Sequence, residues 1–440
     1  MLRTLAIGLA LSPVLSWSQE AVSVRPARIT ETDKQITISE QRVRKAPGDF
    51  AGYDQLGSIL FQKARETGDV QYYDLAERNL KRSIELSPRD FRSADPLLHM
   101  ALVYMGEHRF TDALAYAQKA MALGSGKLEP LAIEGDAYTD MGEYDDAWAA
   151  YGALQTLGAS TASPLDVAYM HDSRLAYLRF LQGHSQDAIR LMRAAITAAL
   201  QIEVPRENLA WLYFELGERY FQTGDLLNAG MSYEAGIRAD SNHYRSLAGL
   251  AKVRAAQGRF EEAIQLYERS LAVIPYPPYA AELGDLFTKL GRTREAKRQY
   301  DLVEYIGRIS QLNHVAANRE LALFYADRDV KLSEALALAQ KELDVRHDIY
   351  TWDALAWVLY KNGHGQEAVS AIDKALGLKT ADALILFHAG MIYHRAGNDP
   401  AAEDFLTRAL KTNPHFHVLY ATAAAQTLED ISSSRVQNTK

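Results

Sequence analysis

A small residue returns through this 440-residue chain at nearly fixed distances: Ala113, Ala147, Ala188, Ala229, Ala263, Ala296, Ala335, Ala368 and Ala402. Several intervals are 33 or 34 residues and others stretch to 39 or 41. Length alone would suggest two to three domains at about 150 residues each, but a repeat of this period overrides that prior. One pattern surrounds each alanine. An aromatic or large apolar residue is followed by Leu, then Gly or Ala, then another large residue, and Tyr213, Leu216, Gly217 and Tyr220 are the clearest instance. Tyr53, Leu56, Gly57 and Leu60 repeat it. Leu131, Gly135 and Tyr138, then Ala280, Leu283, Gly284 and Phe287, follow it more loosely, as do Trp352, Leu355, Ala356 and Leu359 and then Leu386, Ala389, Gly390 and Tyr393. A glycine comes next in most units (Gly142, Gly183, Gly224, Gly258, Gly291, Gly363, Gly397), then the alanine, then an aromatic or apolar residue such as Tyr151, Tyr233 or Tyr267.

The physics of this pattern is a stack of helix pairs. Residues three, four and seven apart share one helix face. The glycine marks the turn between two such helices, and the Gly or Ala at the crossing lets them approach closely while aromatics fill the space around it. Pro47, Pro88, Pro275 and Pro414 close several units, since proline cannot continue a helix. A single pair cannot bury its apolar face alone, so pairs must stack. Roughly 15% of the residues are Ala, and with only 13 Pro this suits packed helices.

The pattern resembles the tetratricopeptide repeat family over most of Asp49 to Pro414. The resemblance implies an all-α, right-handed α-solenoid of about ten stacked helix-turn-helix repeats, centred on Ala76 and the nine alanines above. Residues 49–303 hold units one to seven, and residues 304–414 hold units eight to ten. Residues 19–48 are an N-terminal segment ending in a half-repeat helix over Ser39 to Ala46. In residues 415–440, His415 to Ile431 read as a capping helix and Ser432 to Lys440 as a frayed polar tail. Asp69 to Tyr73 lengthen the first turn, Gly158 to Pro164 and Ile202 to Asn208 add about seven residues each, and Tyr305 to Asn318 form the loosest join.

Chemistry is scarce. With no Cys, the chain has no thiol nucleophile, cysteine-held zinc, iron–sulfur cluster or disulfide. The net charge of -8 argues against a nucleic-acid binder, which would carry a basic face. Gly124-Ser125-Gly126-Lys127 lacks the first glycine of a phosphate loop and has Leu128 where Ser or Thr would hold magnesium, so it reads as a helix stop. His415 and His417 flank Phe416, and His388 and His394 lie in the last unit, with no metal-binding spacing among them. The acidic run Asp136, Asp140, Glu143, Asp145 and Asp146 reads as a solvated face and helix-start charge. No cofactor, metal or catalytic set is expected.

In the family resembled, the first helix of each pair lines a concave surface. The residues offset from the packing stripe here are Asp136 and Asp140, then Arg174, Tyr177 and Phe180, then Phe214, Glu218 and Phe221. Lys252, Asp285 and Lys289 follow, then Asp353, Trp357 and Tyr360, and finally Phe387, Met391 and His394. From these, Arg174, Tyr177, Phe214, Phe221, Trp357 and Tyr360 are expected to contact a partner, with packing between repeats as the competing role for each ring. The paired Lys and Asn with which some such arrays hold a C-terminal carboxylate is not found at the equivalent offsets.

The chain opens with Met1-Leu2-Arg3, an apolar run from Thr4 to Leu15, and Ser16-Trp17-Ser18. Residues 1–18 therefore read as a secretory signal cut before Gln19, the apolar run being too short to span a bilayer of ~30 Å. No Cys is present for lipid attachment. The expectation is an exported, periplasmic or secreted, non-catalytic scaffold with no transmembrane segment in the mature chain. Its partner would be a protein or peptide held in the concave groove. A glycan bound by the groove aromatics, or an accessory role in an enzyme complex, is the alternative. The family resemblance implies envelope assembly, secretion or polysaccharide export without choosing among them.

Overall fold

The computed structural model describes residues 30–88, 90–124, 126–312 and 319–438, so residues 1–18 lie outside the described residues. Helix α1 (Glu31–Lys45) leads into ten helix pairs. The first three are α2 (Phe50–Thr67) with α3 (Gln71–Leu86), α4 (Ala94–Gly106) with α5 (Phe110–Ala122), and α6 (Glu129–Met141) with α7 (Tyr144–Thr161). In the fourth, α8 (Pro164–Val167), a π-helical turn (Ala168–Asp172) and α9 (Ser173–Leu181) together face α10 (Ser185–Gln201). Then come α11 (Arg206–Gln222) with α12 (Leu226–Ala239), α13 (Tyr244–Ala256) with α14 (Phe260–Val273), and α15 (Pro277–Lys289) with α16 (Thr293–Leu312). The last pairs are α17 (Arg319–Asp327) with α18 (Leu332–Glu342), α19 (Ile349–Lys361) with α20 (Gly365–Ala375), and α21 (Ala383–Arg395) with α22 (Asp399–Thr412). Helix α23 (Tyr420–Asn438) closes the chain. No strand occurs among the described residues, and no helix among them is long and apolar enough to cross a membrane.

The expected all-α array of stacked helix pairs is what forms, and the periodic residues hold it. The ten alanines are all between 0% and 4% exposed. A Cβ on Gly57, Gly135, Gly217, Gly284 or Gly390 would lie 2.1–2.5 Å from Leu80, Tyr151, Tyr233, Tyr300 or Leu406 of the paired helix. Only glycine permits that approach. The turn glycines Gly142, Gly183, Gly224, Gly258, Gly291, Gly363 and Gly397 all have positive φ, which ends each first helix in the left-handed region.

Several boundaries differ from the sequence reading. Helix α1 starts at Glu31, well before Ser39, because Thr30 and Asp33 form a reciprocal cap. Of the extra residues, Gly158 to Thr161 lengthen α7, whereas Ile202 to Pro205 form the turn after α10 and Arg206 to Asn208 open α11. Residues 304–312 continue α16, and residues 313–318 lie outside the described residues. At the C-terminus, residues 415–419 are not helical, and α23 runs from Tyr420 through Ser432 to Asn438 instead of fraying.

The array also winds back onto itself at a constant offset. Gly142 of the third unit abuts the link between units eight and nine, where His347 N–H donates to the Met141 carbonyl (2.9 Å) and Ile349 N–H to the Tyr144 hydroxyl (3.0 Å). Gly183 of the fourth unit abuts Lys379, in the next link. In the fifth, the Asn413 amide donates to the Phe221 carbonyl (2.8 Å) beyond unit ten. Gly68 of the first unit meets Ile274 before unit seven. Units one, three, four and five thus each touch a link five to six units ahead, and the concave faces of the successive units enclose a lumen. A small rotation per repeat accumulates into this closure.

Candidate functional site

The first helices α9, α11, α13, α15, α17, α19 and α21 present their offset residues to this lumen. Phe214, Phe221 and Trp357 are buried there at 7%, 4% and 3% exposure, while Arg174, Tyr177 and Tyr360 are half-buried. The expected free ring surface is therefore absent for the first three, because their rings pack against residues of the same and the neighbouring unit. The six residues do not form one cluster. The Arg174 guanidinium donates through Nε to both oxygens of Asp136 (2.9 and 3.0 Å). The Tyr177 ring lies under the Arg219 guanidinium at 5.4 Å, and burial together with the charges of Asp140 and Asp348 raises its hydroxyl above the usual range. Phe214 packs against Tyr233 and His243. Trp357 stacks on Tyr360 at 4.9 Å and on His388 at 4.1 Å, and its Nε1 donates to Asp327 (2.8 Å).

Charges in the lumen are mostly paired across neighbouring units. Lys252 donates to both oxygens of Glu218 (2.8 and 3.0 Å), which also accepts from the Tyr233 hydroxyl (2.6 Å). Asp285 accepts from the Tyr300 hydroxyl (2.8 Å) and Arg328 (2.5 Å). Such pairing is what makes half-buried charge tolerable. Asp140 is the contrast: burial pushes its carboxyl up to about 7, with Arg346 opposing the shift. The acidic run thus divides. Asp136 and Asp140 belong to the lumen, whereas Asp145 and Asp146 sit exposed in the first turn of α7, where negative charge suits the helix dipole. The local reason for the Arg174 placement is the π-helical turn, whose additional residue rotates α9 relative to α8.

The link before α23 carries a feature the repeat pattern did not point to. Residues 413–419 leave α22 and lie across the concave side of α11, α13 and α15. Leu419 and Tyr420 N–H groups donate to His417 Nδ1 (3.2 and 3.3 Å), so the ring proton sits on Nε2, which faces Asp285 at 3.4 Å. Lys289 Nζ donates to the Val418 carbonyl (3.1 Å), and the Tyr420 hydroxyl donates to Asp327 (2.6 Å). Beneath the link is a cavity of about 350 Å³, lined by Phe221, Lys252, Phe260, Glu282, Lys289 and His417 among others. Burial raises the Glu282 carboxyl, which accepts from the Tyr267 hydroxyl (2.9 Å). The signal in the sequence was the density of aromatics and histidines in Asn413-Pro414-His415-Phe416-His417-Val418-Leu419-Tyr420, which fits no repeat position. His388, in contrast, is a core residue bonded to Asp353 (2.9 Å).

Lumen, offset aromatics and crossing glycines can be set beside known proteins. A tetratricopeptide repeat model matches residues 214–280 and 354–415. Protein CTR9 homolog of Arabidopsis thaliana is 26% identical over 213 residues, which is 45% of this chain and 19% of that protein, so the match spans less than a fifth of the relative's length. The crystal structure of yeast Tom70 aligns over 92% of this chain and 93% of its own at 13% identity, with a TM-score of 0.42. That of the APC/C hetero-tetramer Cut9-Hcn1 aligns over 90% and 92% at 13% identity, with a TM-score of 0.33. The two matched stretches carry tetratricopeptide repeats, and the ten buried alanines, one in each helix pair, continue the same arrangement along the array.

Proposed function

We propose that the chain is a non-catalytic scaffold that binds an extended protein or peptide segment inside its superhelix, on the concave side of α11, α13 and α15. The observation carrying this reading is the cavity of about 350 Å³ there, where the Phe221 and Phe260 rings sit beside the Lys252, Glu282 and Lys289 side chains. Apolar walls with a few fixed polar groups are what a peptide side chain needs for both affinity and orientation. Trp357 speaks against the glycan alternative: it stacks on Tyr360 and His388, so its ring is taken up by aromatic partners within the chain. Export through residues 1–18 is part of the proposal, and rests on their basic start, short apolar run and small residues before Gln19. Intact mass of the exported protein then starts at Gln19, and a form retaining Met1 refutes export by this route.

A displayed peptide library screened against the purified chain tests the binding reading. Photo-crosslinkers placed at Ala255 or Ala256, which line the cavity, are expected to capture the enriched peptides. Crosslinks found instead at Met231, exposed on the outer helix α12, would overturn the concave assignment. Glycan-array binding without any peptide enrichment would favour the alternative.

A further inference from the structure

We propose that residues 413–420 are a resident peptide ligand of this groove, and that a partner segment enters by taking over the same contacts. This rests on the peptide-binding reading above. The segment meets the groove as a peptide would, through one group at a time on different units. The Asn413 amide reaches the Phe221 carbonyl of unit five (2.8 Å). The His417 imidazole faces Asp285 of unit seven (3.4 Å), and the Val418 main-chain carbonyl takes the Lys289 ammonium (3.1 Å). The Tyr420 hydroxyl binds Asp327 of unit eight (2.6 Å), and the Phe416 ring packs on Phe387 of unit ten (centroids 5.5 Å). Asp285 and Lys289 sit at recurring offset positions of the first helices, where the repeat geometry presents side chains to whatever lies in the lumen.

Two further observations set this segment apart from a structural link. Only Asn413 is buried, Pro414 and His415 are exposed, and the residues from Phe416 to Tyr420 are half-buried, whereas α23 beyond it anchors through the fully buried Ala424 and Ile431. The cap is thus fixed by fully buried apolar packing, while the segment before it is held by single polar bonds and by half-buried rings, Phe416 and Tyr420, resting on Phe387. The cavity beneath it leaves the seat unfilled, unlike a core element packed to interior density. The two acidic groove partners keep other bonds without the segment, Asp285 to Tyr300 and Arg328 and Asp327 to Trp357, and Lys289 is exposed to solvent. Release therefore strands no buried charge. The partner's chemistry follows from the contacts: an extended segment with a carboxamide, then an aromatic ring, an imidazole or other neutral donor, a free main-chain carbonyl and a phenol. Tethered at both ends, the resident segment competes at high effective concentration, so a free peptide binds weakly until the segment is loosened.

The test uses the full chain and a labelled synthetic peptide of residues 412–421, read by fluorescence anisotropy. The double variant His417→Ala, Tyr420→Phe is expected to bind that peptide at least tenfold more tightly than the wild type, and adding Lys289→Met is expected to cancel the gain. A double variant with wild-type helicity that binds no tighter overturns the proposal. Should the double variant fail to fold, the wild type decides: at millimolar peptide, a photo-reactive phenylalanine in place of Phe416 is expected to label α21, and no label there overturns the proposal. Library peptides that crosslink beside the cavity while the 412–421 peptide does not bind would refute this inference and leave the peptide-binding function standing.

Discussion

The ring of Tyr233 offers the sharpest test of how the repeat is held together. It is fully buried between two glycines of successive first helices. A Cβ on Gly217 would lie 2.5 Å from its Cε1, and a Cβ on Gly249 would lie 2.3 Å from the same atom. The ring cannot retreat from one without striking the other, and its hydroxyl is tied to Glu218, itself held by Lys252. In an open helix, Gly→Ala stabilises by about 1 kcal/mol. Overpacking a filled core costs about 1–3 kcal/mol, and a ring pinned on both sides belongs at the upper end. Gly217→Ala is therefore expected to destabilise by about 2 kcal/mol. Tyr233→Ala alone costs about 3–5 kcal/mol as an aromatic cavity. In that background the clash is gone, so adding Gly217→Ala should stabilise by about 1 kcal/mol. The coupling between the two sites is then about 3 kcal/mol. Urea unfolding followed by circular dichroism gives the four stabilities, and hydrogen exchange over α11 and α12 confirms that the change is local. If Gly217→Ala is neutral or stabilising in the wild-type background, the close crossing of α11 and α12 is refuted.

Three other predictions concern the closure and the lumen. Gly126 has φ +68° with open space around it, so Gly126→Ala should cost only the backbone strain of about 1 kcal/mol. Gly142→Ala places a Cβ 2.6 Å from the His347 main chain, and should lower the melting temperature further and enlarge the scattering radius; equal effects would refute the contact between turns. Asp140 titrates near 7 when folded against 3.8 ordinarily, so the native state holds its proton and wild-type stability falls as pH rises from about 4 through 7. Asp140→Asn removes that fall and should be relatively more stable at pH 8 than at pH 5 in urea midpoints; an unchanged difference refutes the burial effect. Trp357→Ala, losing a buried stacked ring and its bond to Asp327, should cost about 3–5 kcal/mol, and half-buried Tyr360→Ala clearly less; the reverse order in thermal melts would remove Trp357 from the core.

The helix pairs were legible because each depends on residues close in the chain. Gly217 and Tyr233 meet across one turn, so their spacing alone announces the contact. Gly224, five residues before Ala229, marks the turn between them. Helix ends were less legible where a cap decides them, as with Thr30 and Asp33 ahead of Ser39. The residues offset from the packing stripe could be listed from spacing, yet their environment was not readable. Whether Phe214, Phe221 and Trp357 face open water depends on how closely neighbouring units pack on one another.

By itself, the sequence determined the units, their close crossings and the faces they turn inward. It did so because those interactions are short in range and repeat with the chain. The tertiary structure alone decided that the array winds back on itself. It placed His347 against Gly142, Lys379 against Gly183 and Asn413 against Phe221. It also laid residues 413–419 across the groove of three earlier units. Those contacts join residues some 130 to 205 positions apart and carry no period. They follow from the summed rotation of successive pairs, a quantity in which small changes at each crossing accumulate over the length of the stack.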